Sequence, residues 1–245
     1  MPAGETWRLL RTWDAPPGFN MALDEALLRG REERPVLRLY TWAPAALSLG
    51  YFQRHDEVVA ALRARAVELP PLVRRLTGGG AIHHARELTF SIAAPLAHPL
   101  YQGPVAESYG RVHAALADAL ARHGAPAGPR EGRALASDDR ASPMCFHNST
   151  ALDLVWDGRK GVGSAQRRSG GRVLHHGSIK LGTTPLEGGI ATASVSAEEL
   201  GRSLAAALAQ RFGMSFAEEA PRPEELLHAR AREDFFSSAG FLRRR

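Results

Sequence analysis

Cys145 and Lys160 are the two residues whose types and separation could support acyl transfer. Cys145 is the only cysteine in the sequence, so neither an intrachain disulfide nor a four-cysteine metal site can form. Lys160 follows it 15 residues later. An ammonium close to a thiol stabilises the thiolate, which is the nucleophilic form. A lone cysteine is also often a small buried hydrophobic residue, so the nucleophile is a hypothesis that needs support from its neighbours.

The rarity of lysine draws attention to Lys160. Of the 31 basic residues, all are arginine except Lys160 and Lys180. Lysine carries a compact, titratable ammonium on a flexible stem, which the planar arginine fork cannot replace. The alternative is that these two positions are lysine by chance. This alternative applies more to Lys180, which lies near a predicted strand end. We therefore interpret Lys160 as the functional lysine.

Gly78, Gly79 and Gly80 form a run that could lie against a ligand. The run has neither the spacing of a dinucleotide fingerprint nor that of a phosphate P-loop. Glycines let the backbone approach a ligand closely, and Arg74 and Arg75 could meet an anionic head group. The alternative is a tight turn between strands with solvated arginines.

Two histidine pairs and two serines suggest other sites only weakly. His83-His84 and His175-His176 lie on predicted strands, where adjacent side chains point to opposite faces, so no metal site is expected. Ser164 and Ser178, with Asp153, could be combined into a serine triad. Neither serine lies in a Gly-x-Ser-x-Gly elbow, which disfavours that interpretation.

The pattern of apolar residues predicts an α+β fold. Helices are expected over 20–28, over 56–66 with Asp56 as its cap, over 105–123, from Ser196 as cap to Arg211, and over 223–233. Strands are expected over 36–42 and 45–50 as neighbours, and over 72–76, 88–92, 151–156, 160–166 and 173–181. Because the strands come in adjacent hairpins with helices between groups, we expect a mixed, mostly antiparallel sheet flanked by helices.

Composition limits the possible environments and partners. A length of 245 residues with 44% hydrophobic content fits a single domain over 1–245, in which the stretch 125–143 is expected to be an exposed, mobile loop. No run is long enough to span a membrane, and the chain is expected to be cytoplasmic. The net charge of +5 favours acidic partners, but the basic residues form no stripe with aromatics, so nucleic acid is not expected.

Four segments together resemble the lipoate/biotin protein ligase superfamily, which includes the octanoyltransferases. They are 20–25 (Asn-Met-Ala-Leu-Asp-Glu), 74–84 (Arg-Arg-Leu-Thr-Gly-Gly-Gly-Ala-Ile-His-His), 158–166 (Gly-Arg-Lys-Gly-Val-Gly-Ser-Ala-Gln) and 176–179 (His-Gly-Ser-Ile). The resemblance implies an acyl pocket lined by Arg75, Gly78, Gly79, Gly80 and His84, with Lys160 on the acyl carbonyl. Its wall would be completed by Gly163, Ser164, Ala165, His176, Gly177 and Ser178.

Cys145-Phe146 is similar to the Cys-Phe segment of LipM-type octanoyltransferases, where the cysteine forms an acyl thioester. The resemblance implies transfer of octanoyl from octanoyl-acyl carrier protein to a lysine of a lipoyl-accepting protein, such as glycine cleavage H protein or a dehydrogenase E2 lipoyl domain. Lys160 and backbone N–H groups near Gly163 would stabilise the oxyanion, and Leu76, Ile82 and Val162 would hold the alkyl chain. No cofactor is implied, and because few residues follow the last predicted helix, we expect no additional ligase domain.

Three alternatives remain open at this point. The run Gly78-Gly79-Gly80 is the ligase-like form of a segment that is usually Gly-Gly-Arg in LipM-type enzymes. An ATP-dependent lipoate ligase would need ATP and magnesium, would use Lys160 on the phosphate, and would leave Cys145 structural. The chain could also be an amidotransferase between lipoyl domains, or an acyl-binding protein without catalytic activity.

Overall fold

A computed structural model describes residues 4–65 and 68–244, and in that part of the chain eleven strands form two sheets. The strands are β1 Thr6–Ala15, β2 Val36–Trp42, β3 Ala46–Leu49, β4 Leu72–Arg74, β5 Ile82–His84, β6 Glu87–Pro95, β7 Gly128–Pro129, β8 Leu154–Trp156, β9 Arg159–Ser169, β10 Arg172–Lys180 and β11 Ser215–Glu218. The α-helices are α1 Pro17–Arg29, α2 His55–Arg63, α3 Val105–Ala121, α4 Ala197–Phe212, α5 Pro223–Arg232 and α6 Ala239–Leu242.

The larger sheet has eight strands in the order β11-β1-β2-β6-β10-β9-β8-β7. β1 is parallel to β11 and β2, and the other neighbours are antiparallel. The smaller sheet has the order β4-β3-β5, with one parallel and one antiparallel pair. The predicted α+β class with a mixed, mostly antiparallel sheet is confirmed.

Helices cover both faces of the large sheet because its central strands are apolar on both sides. All nine residues of β10 are buried. On one face α3 and α4 pack on alternate residues of β2 and β6, with Leu37, Leu39 and Phe90 in that core. On the other face α1 packs on residues such as Tyr40 and Trp42, and α5 packs against α1. Asp24, Tyr40 and His176, which form one wall of the candidate site described below, lie on this second face.

Local sequence signals placed the β8–β9–β10 meander and α4 correctly. Asp157 and Gly158 have φ values of 51° and 68°, as a two-residue hairpin turn requires. The Ser196 side chain accepts from the Glu199 N–H, and α4 ends at Gly213 in the left-handed conformation. These predictions are confirmed. They succeed because turn and cap signals act over only a few residues.

Two local predictions were wrong. β2 and β3 are not neighbours, because the chain leaves the large sheet after Trp42 and β3 pairs with β4 and β5 instead. Asp56 is not the cap of α2, since that helix begins at His55 and places Asp56 in its first turn. The predicted end of this helix at Ala66 lies outside the described residues.

The stretch 125–143 is largely exposed but is attached to the sheet at several points. Gly128–Pro129 pairs with β8, and Leu135, Ser137 and Ser142 are buried. The Ser137 hydroxyl accepts from the Lys160 backbone N–H at 3.0 Å. The loop therefore supports the strand that carries Lys160, and its mobility stays a prediction.

Candidate active site

Cys145 begins a single 3₁₀ turn, Cys145–His147, that is held against the glycine run. The Cys145 N–H donates to the Ala81 carbonyl at 2.7 Å, and the Ala81 N–H donates to the Pro143 carbonyl at 2.9 Å. A Cβ atom on Gly80 would lie 2.8 Å from the Cys145 nitrogen, a distance that a side chain at this position could not maintain. Glycine at position 80 therefore allows the close contact that fixes the backbone of the cysteine.

Lys160 reaches Cys145 from the start of β9. Its side chain is buried, and its Nζ atom lies 3.4 Å from the Cys145 Sγ and 2.9 Å from the Cys145 carbonyl oxygen. The ammonium also donates to the Asn148 carbonyl at 3.2 Å and pairs with the Asp153 carboxylate at 2.9 Å. The β8–β9 hairpin thus brings thiol, ammonium and carboxylate together in a row.

The charge state of Lys160 follows from these contacts. Burial lowers the pKa of an ammonium, but the charges of Cys145 and Asp153 and their hydrogen bonds outweigh burial, so the pKa of Lys160 is raised above its usual value. Lys160 is therefore a permanent cation at neutral pH. It can stabilise negative charge beside it, and it cannot accept a proton as a base.

Arg75 holds the backbone of the glycine run 78–80 in place. Its guanidinium donates to the carbonyls of Gly78 and Gly80 at 2.7 Å and to the Ser48 hydroxyl at 3.0 Å. Burial lowers the pKa of Arg75 to about 10, an effect that the charge of Cys145 opposes. Arg75 is charged at neutral pH and adds a second positive charge near the sulfur.

Arg74 does not have the role considered for it. Its guanidinium is buried and donates to backbone carbonyls of Gly50, Gln53 and Phe241. All three acceptors belong to neighbouring chain segments. Arg74 therefore holds the C-terminal turn against β3, and it is not available to an anionic head group.

Beside Cys145 lies one narrow cavity with a free volume of about 30 Å³, enough for only a few water molecules. It is lined by most of the residues that the resemblance selects: Arg75, Gly78, Gly79, His84, Cys145, Gly163, Ser164, Ala165, His176, Gly177 and Ser178. Gly80 and Lys160 contact Cys145 from behind its wall. The structure thus brings all thirteen predicted residues together, and their individual roles stay predictions.

The apolar lining differs from the prediction. Of the three residues expected to hold the alkyl chain, only Ile82 lines the cavity. Val162 faces the core on the other side of the sheet, and Leu76 lines a separate groove. Met21, Tyr40 and Trp42 provide the remaining apolar surface.

Asp24 on α1 organises one wall of the cavity. Its carboxylate accepts from Arg38 and Ser91 at 2.8 Å and from the Tyr40 hydroxyl at 2.9 Å, and lies 3.2 Å from His176 Nδ1. Burial raises the pKa of a carboxyl, but His176, Arg38 and Ser91 outweigh it and keep the pKa of Asp24 lowered. Asp24 therefore stays ionised and fixes the imidazole that faces the cavity.

His84 belongs to a second buried network. Its Nδ1 lies 2.6 Å from Glu87 and its Nε2 lies 2.7 Å from the Ser48 hydroxyl, while its ring stacks on Trp42 at 3.8 Å. Burial lowers the pKa of His84 to about 4 despite Glu87. The imidazole is neutral at pH 7 and presents an uncharged surface to the cavity.

Lys180 lies in a buried ion-pair cluster away from the cysteine sulfur. Its buried ammonium lies 2.6 Å from both Glu87 and Glu187 and donates to the His83 carbonyl at 2.8 Å. Its Nζ also lies 4.6 Å from the centre of the Phe146 ring, and Lys160 Nζ lies 5.6 Å from the same ring. Both lysines of the chain therefore flank the residue that follows Cys145.

Ser164 and Ser178 do not form a triad with Asp153. Ser164 Oγ lies 2.7 Å from His113 Nε2, and Ser178 donates to Glu87, while Asp153 pairs with Lys160. His113 donates from Nδ1 to the Leu152 carbonyl, so its Nε2 accepts from the Ser164 hydroxyl. The three residues belong to three separate networks.

Several residues of the site escaped the sequence interpretation. Asp153 was considered only as a member of a serine triad, Tyr40 and Trp42 only as parts of a predicted strand, and Met21 only as part of a predicted helix and of the segment 20–25. Thr77, whose Oγ1 lies 2.5 Å from His176 Nε2, belongs to the segment 74–84 but was given no role. Their proximity arises from pairing between distant segments, although Asp24 belongs to the segment 20–25 that carries the resemblance.

Comparison with known proteins places this geometry in a family. The family model of the lipoyl protein ligase A/B catalytic domain matches residues 16–198. The chain belongs to the lipoyl protein ligase A/B catalytic-domain family. Among curated relatives, octanoyltransferase LipM of Moorella thermoacetica is 46% identical over 186 residues, which are 74% of this chain and 67% of that protein. LipM of Bacillus subtilis is 39% identical over 72% of this chain and 66% of that protein.

Solved structures of the family share the fold. A putative lipoate protein ligase from T. acidophilum has a TM-score of 0.76 at 23% identity, covering 96% of this chain and 98% of that one. A lipoate-protein ligase A bound with ATP has a TM-score of 0.75 at 22% identity, covering 97% and 98%. The chain thus has the family fold, and it spans about two thirds of the length of the LipM relatives.

In the described residues no helix is long and apolar enough to cross a membrane.

Proposed function

We propose that the chain is an octanoyltransferase that moves octanoyl from acyl carrier protein to a lysine of a lipoyl-accepting protein through a thioester on Cys145. The observation that carries this proposal is the 3.4 Å contact between the Cys145 Sγ and the Lys160 Nζ. The relatives named octanoyltransferase LipM support octanoyl as the acyl group. The acceptor would be a domain such as glycine cleavage H protein or an E2 lipoyl domain.

In the first step the Cys145 thiolate attacks the carbonyl carbon of the octanoyl thioester. A carbon–sulfur bond forms to Cys145, the bond to the carrier sulfur breaks, and the released carrier thiolate takes up a proton. Negative charge develops on the carbonyl oxygen in between, and Lys160 with Arg75 provides positive charge nearby. A fixed donor of this kind contributes about 3 kcal/mol in other acyl-transfer enzymes.

In the second step the neutral amine of the acceptor lysine attacks the octanoyl-Cys145 carbonyl. The amide bond forms and the bond between the acyl carbon and the Cys145 sulfur breaks. The proton lost by the amine protonates the released Cys145 thiolate or passes to solvent. No ATP enters either step, because the thioester already carries the activated acyl group. Lys160 remains protonated throughout and acts by its charge.

The cavity must open to hold the acyl chain. Its free volume of about 30 Å³ is too small for eight carbons, so side chains have to move when the chain binds. Met21 is the lining residue best suited to move, since methionine is unbranched and has three rotatable side-chain bonds. The neighbouring walls are fixed by the hydrogen-bond networks of Asp24 and His84.

Intact mass spectrometry tests the proposal. Mixing the protein with octanoyl-acyl carrier protein, without ATP, should add one octanoyl group that hydroxylamine removes. The Cys145→Ala variant should acquire none. Lipoylation or octanoylation of an acceptor domain that requires ATP and survives Cys145→Ala would instead support a ligase.

A further inference from the structure

A basic groove, separate from the acyl cavity, has no role in the mechanism above. It lies between the C-terminal end of α1 and the β9–β10 turn, with a cavity volume of about 850 Å³. Four arginines line it, Arg29, Arg31, Arg167 and Arg172, and among the described residues of its wall only Glu33 is acidic. The groove is therefore suited to an anion.

The groove and the acyl cavity lie on one face of the β9–β10 hairpin. Alternate residues of a strand share a face, so Gly163 and Ala165 in the cavity continue into Arg167 and Ser169 in the groove. The register pairs Ser169 with Arg172 at the far end of the same hairpin. From Ala165 to Ser169 the strand covers about 13 Å at its usual rise per residue.

Helix α1 gives the same separation independently. It packs along β10, with Met21 in the wall of the acyl cavity and Arg29 in the wall of the groove. These residues are separated by about 12 Å along the helix axis at the usual rise. An occupant that reaches both sites must therefore be a long arm with an acyl group at one end and an anion at the other.

The arginines of the groove retain unused hydrogen-bond donors. Arg31 is exposed and makes no ion pair within residues 4–65 and 68–244. Arg172 is only 9% exposed, and its Nε atom is buried without a hydrogen-bond partner in the described structure. Arg167 lies with its guanidinium 4.8 Å from the centre of the Tyr51 ring. A buried donor without a partner costs free energy unless a ligand satisfies it.

We propose that this groove binds the phosphate of a phosphopantetheine arm and so aligns the donor thioester with Cys145. The proposal rests on the proposed octanoyl transfer, because it assigns a surface to the donor of that reaction. Arginine binds phosphate oxygens through paired N–H groups. The same arm occurs in acyl carrier protein and in coenzyme A, so the groove recognises chemistry that both donors share.

Equilibrium binding tests the phosphate site without any reaction. The probes are the S-octyl thioethers of phosphopantetheine and of pantetheine, which differ only in the phosphate and cannot acylate Cys145. Isothermal titration calorimetry with the full chain should show about tenfold tighter binding of the phosphorylated probe, the effect of one charged hydrogen bond. Arg31→Glu should abolish this preference.

Arg202→Glu is the matched control. Arg202 is an exposed residue of α4, on the opposite face of the sheet, and its replacement changes the net charge by the same amount. This variant should keep the preference for the phosphorylated probe. Equal affinity of the wild-type chain for the two probes, or a preference that persists in Arg31→Glu, would overturn the proposal.

Acylation rates identify the source of the arm. The donors are octanoyl-acyl carrier protein and octanoyl coenzyme A, and the donor that uses the groove should show a KM about tenfold higher with Arg31→Glu. If neither donor acylates Cys145, the proposed transfer fails, while the binding of the two thioethers still decides the phosphate site. If acylation proceeds and the thioethers bind equally, only the groove assignment fails.

Discussion

The Nζ atom of Lys160 lies 3.4 Å from the Sγ atom of Cys145. The same ammonium pairs with the buried Asp153 carboxylate at 2.9 Å, so its position is set before any substrate arrives. A cation that is already desolvated and paired needs little rearrangement when negative charge develops beside it. This position is the one that the proposed transfer requires of a charge beside the reacting sulfur.

Replacing Lys160 with arginine should slow formation of the octanoyl-enzyme by about 100-fold or more, as loss of a fixed oxyanion donor does elsewhere. The planar guanidinium cannot reproduce the contacts of the compact ammonium, which is buried between the carbonyls of Cys145 and Asn148 and the Asp153 carboxylate. Quenched-flow mass spectrometry measures the rate. Arg159→Lys is the matched control. Arg159 is the exposed neighbour of Lys160, and its replacement should leave the rate unchanged. A Lys160→Arg rate within threefold of the wild type would exclude a role for the ammonium.

Gly163→Ala tests whether the sulfur needs the space beside it. The new Cβ would lie 3.2 Å from the Cys145 Sγ, so the sulfur or the lysine must shift by a few tenths of an ångström. We expect acylation to fall about tenfold or more, because small displacements of reacting atoms are costly. Thermal unfolding should change little. Rates are measured by the same mass assay.

Gly110→Ala is the control for the glycine substitution. Gly110 lies inside α3 with nothing within 4 Å of a Cβ, so alanine there should keep full activity. It should also stabilise the chain by about 0.5–1 kcal/mol through the helix preference of alanine. If Gly163→Ala acylates as fast as Gly110→Ala, the space beside the sulfur has no catalytic importance.

The sequence predicted the parts of the site that depend on short-range signals. The Asp157-Gly158 turn fixes the β8–β9 hairpin, so Lys160 could be placed near the segment that precedes it. The contact of Cys145 with Ala81 could not be predicted from spacing, because it joins segments 64 residues apart. The residues around the cavity were predicted as one set only through the resemblance of four separated segments, since no local pattern encodes their proximity.

Lys180→Met should lower the free energy of unfolding by about 3–5 kcal/mol, the cost of breaking a buried ion pair. The substitution leaves Glu87 and Glu187 facing each other without the ammonium that lies 2.6 Å from both. Urea denaturation at pH 7 measures the loss. Adding Glu187→Gln should recover part of it, because one unpaired charge is removed. A loss below 1 kcal/mol would show that the cluster is not structural.

Acidification should destabilise the chain through His84 as the pH falls from about 6.5 to about 4. Its pKa is lowered to about 4 by burial in the folded chain, against about 6.5 in an unfolded one. Between these values the unfolded chain binds a proton that the folded chain does not, so stability falls as pH falls through this window. The difference corresponds to about 3 kcal/mol at pH 4.

The His84→Gln variant isolates that contribution. Urea denaturation between pH 8 and pH 4 should show a shallower loss of stability for the variant across the window from 6.5 to 4, because glutamine does not titrate. Above pH 7.5 the two curves should run parallel, since His84 is then neutral in both folded and unfolded chains. His83, His113 and His175, whose pKa values burial also lowers, would still contribute to the remaining slope. Identical slopes for variant and wild type below pH 6.5 would show that His84 is protonated in the folded chain, in contradiction to its burial against Trp42.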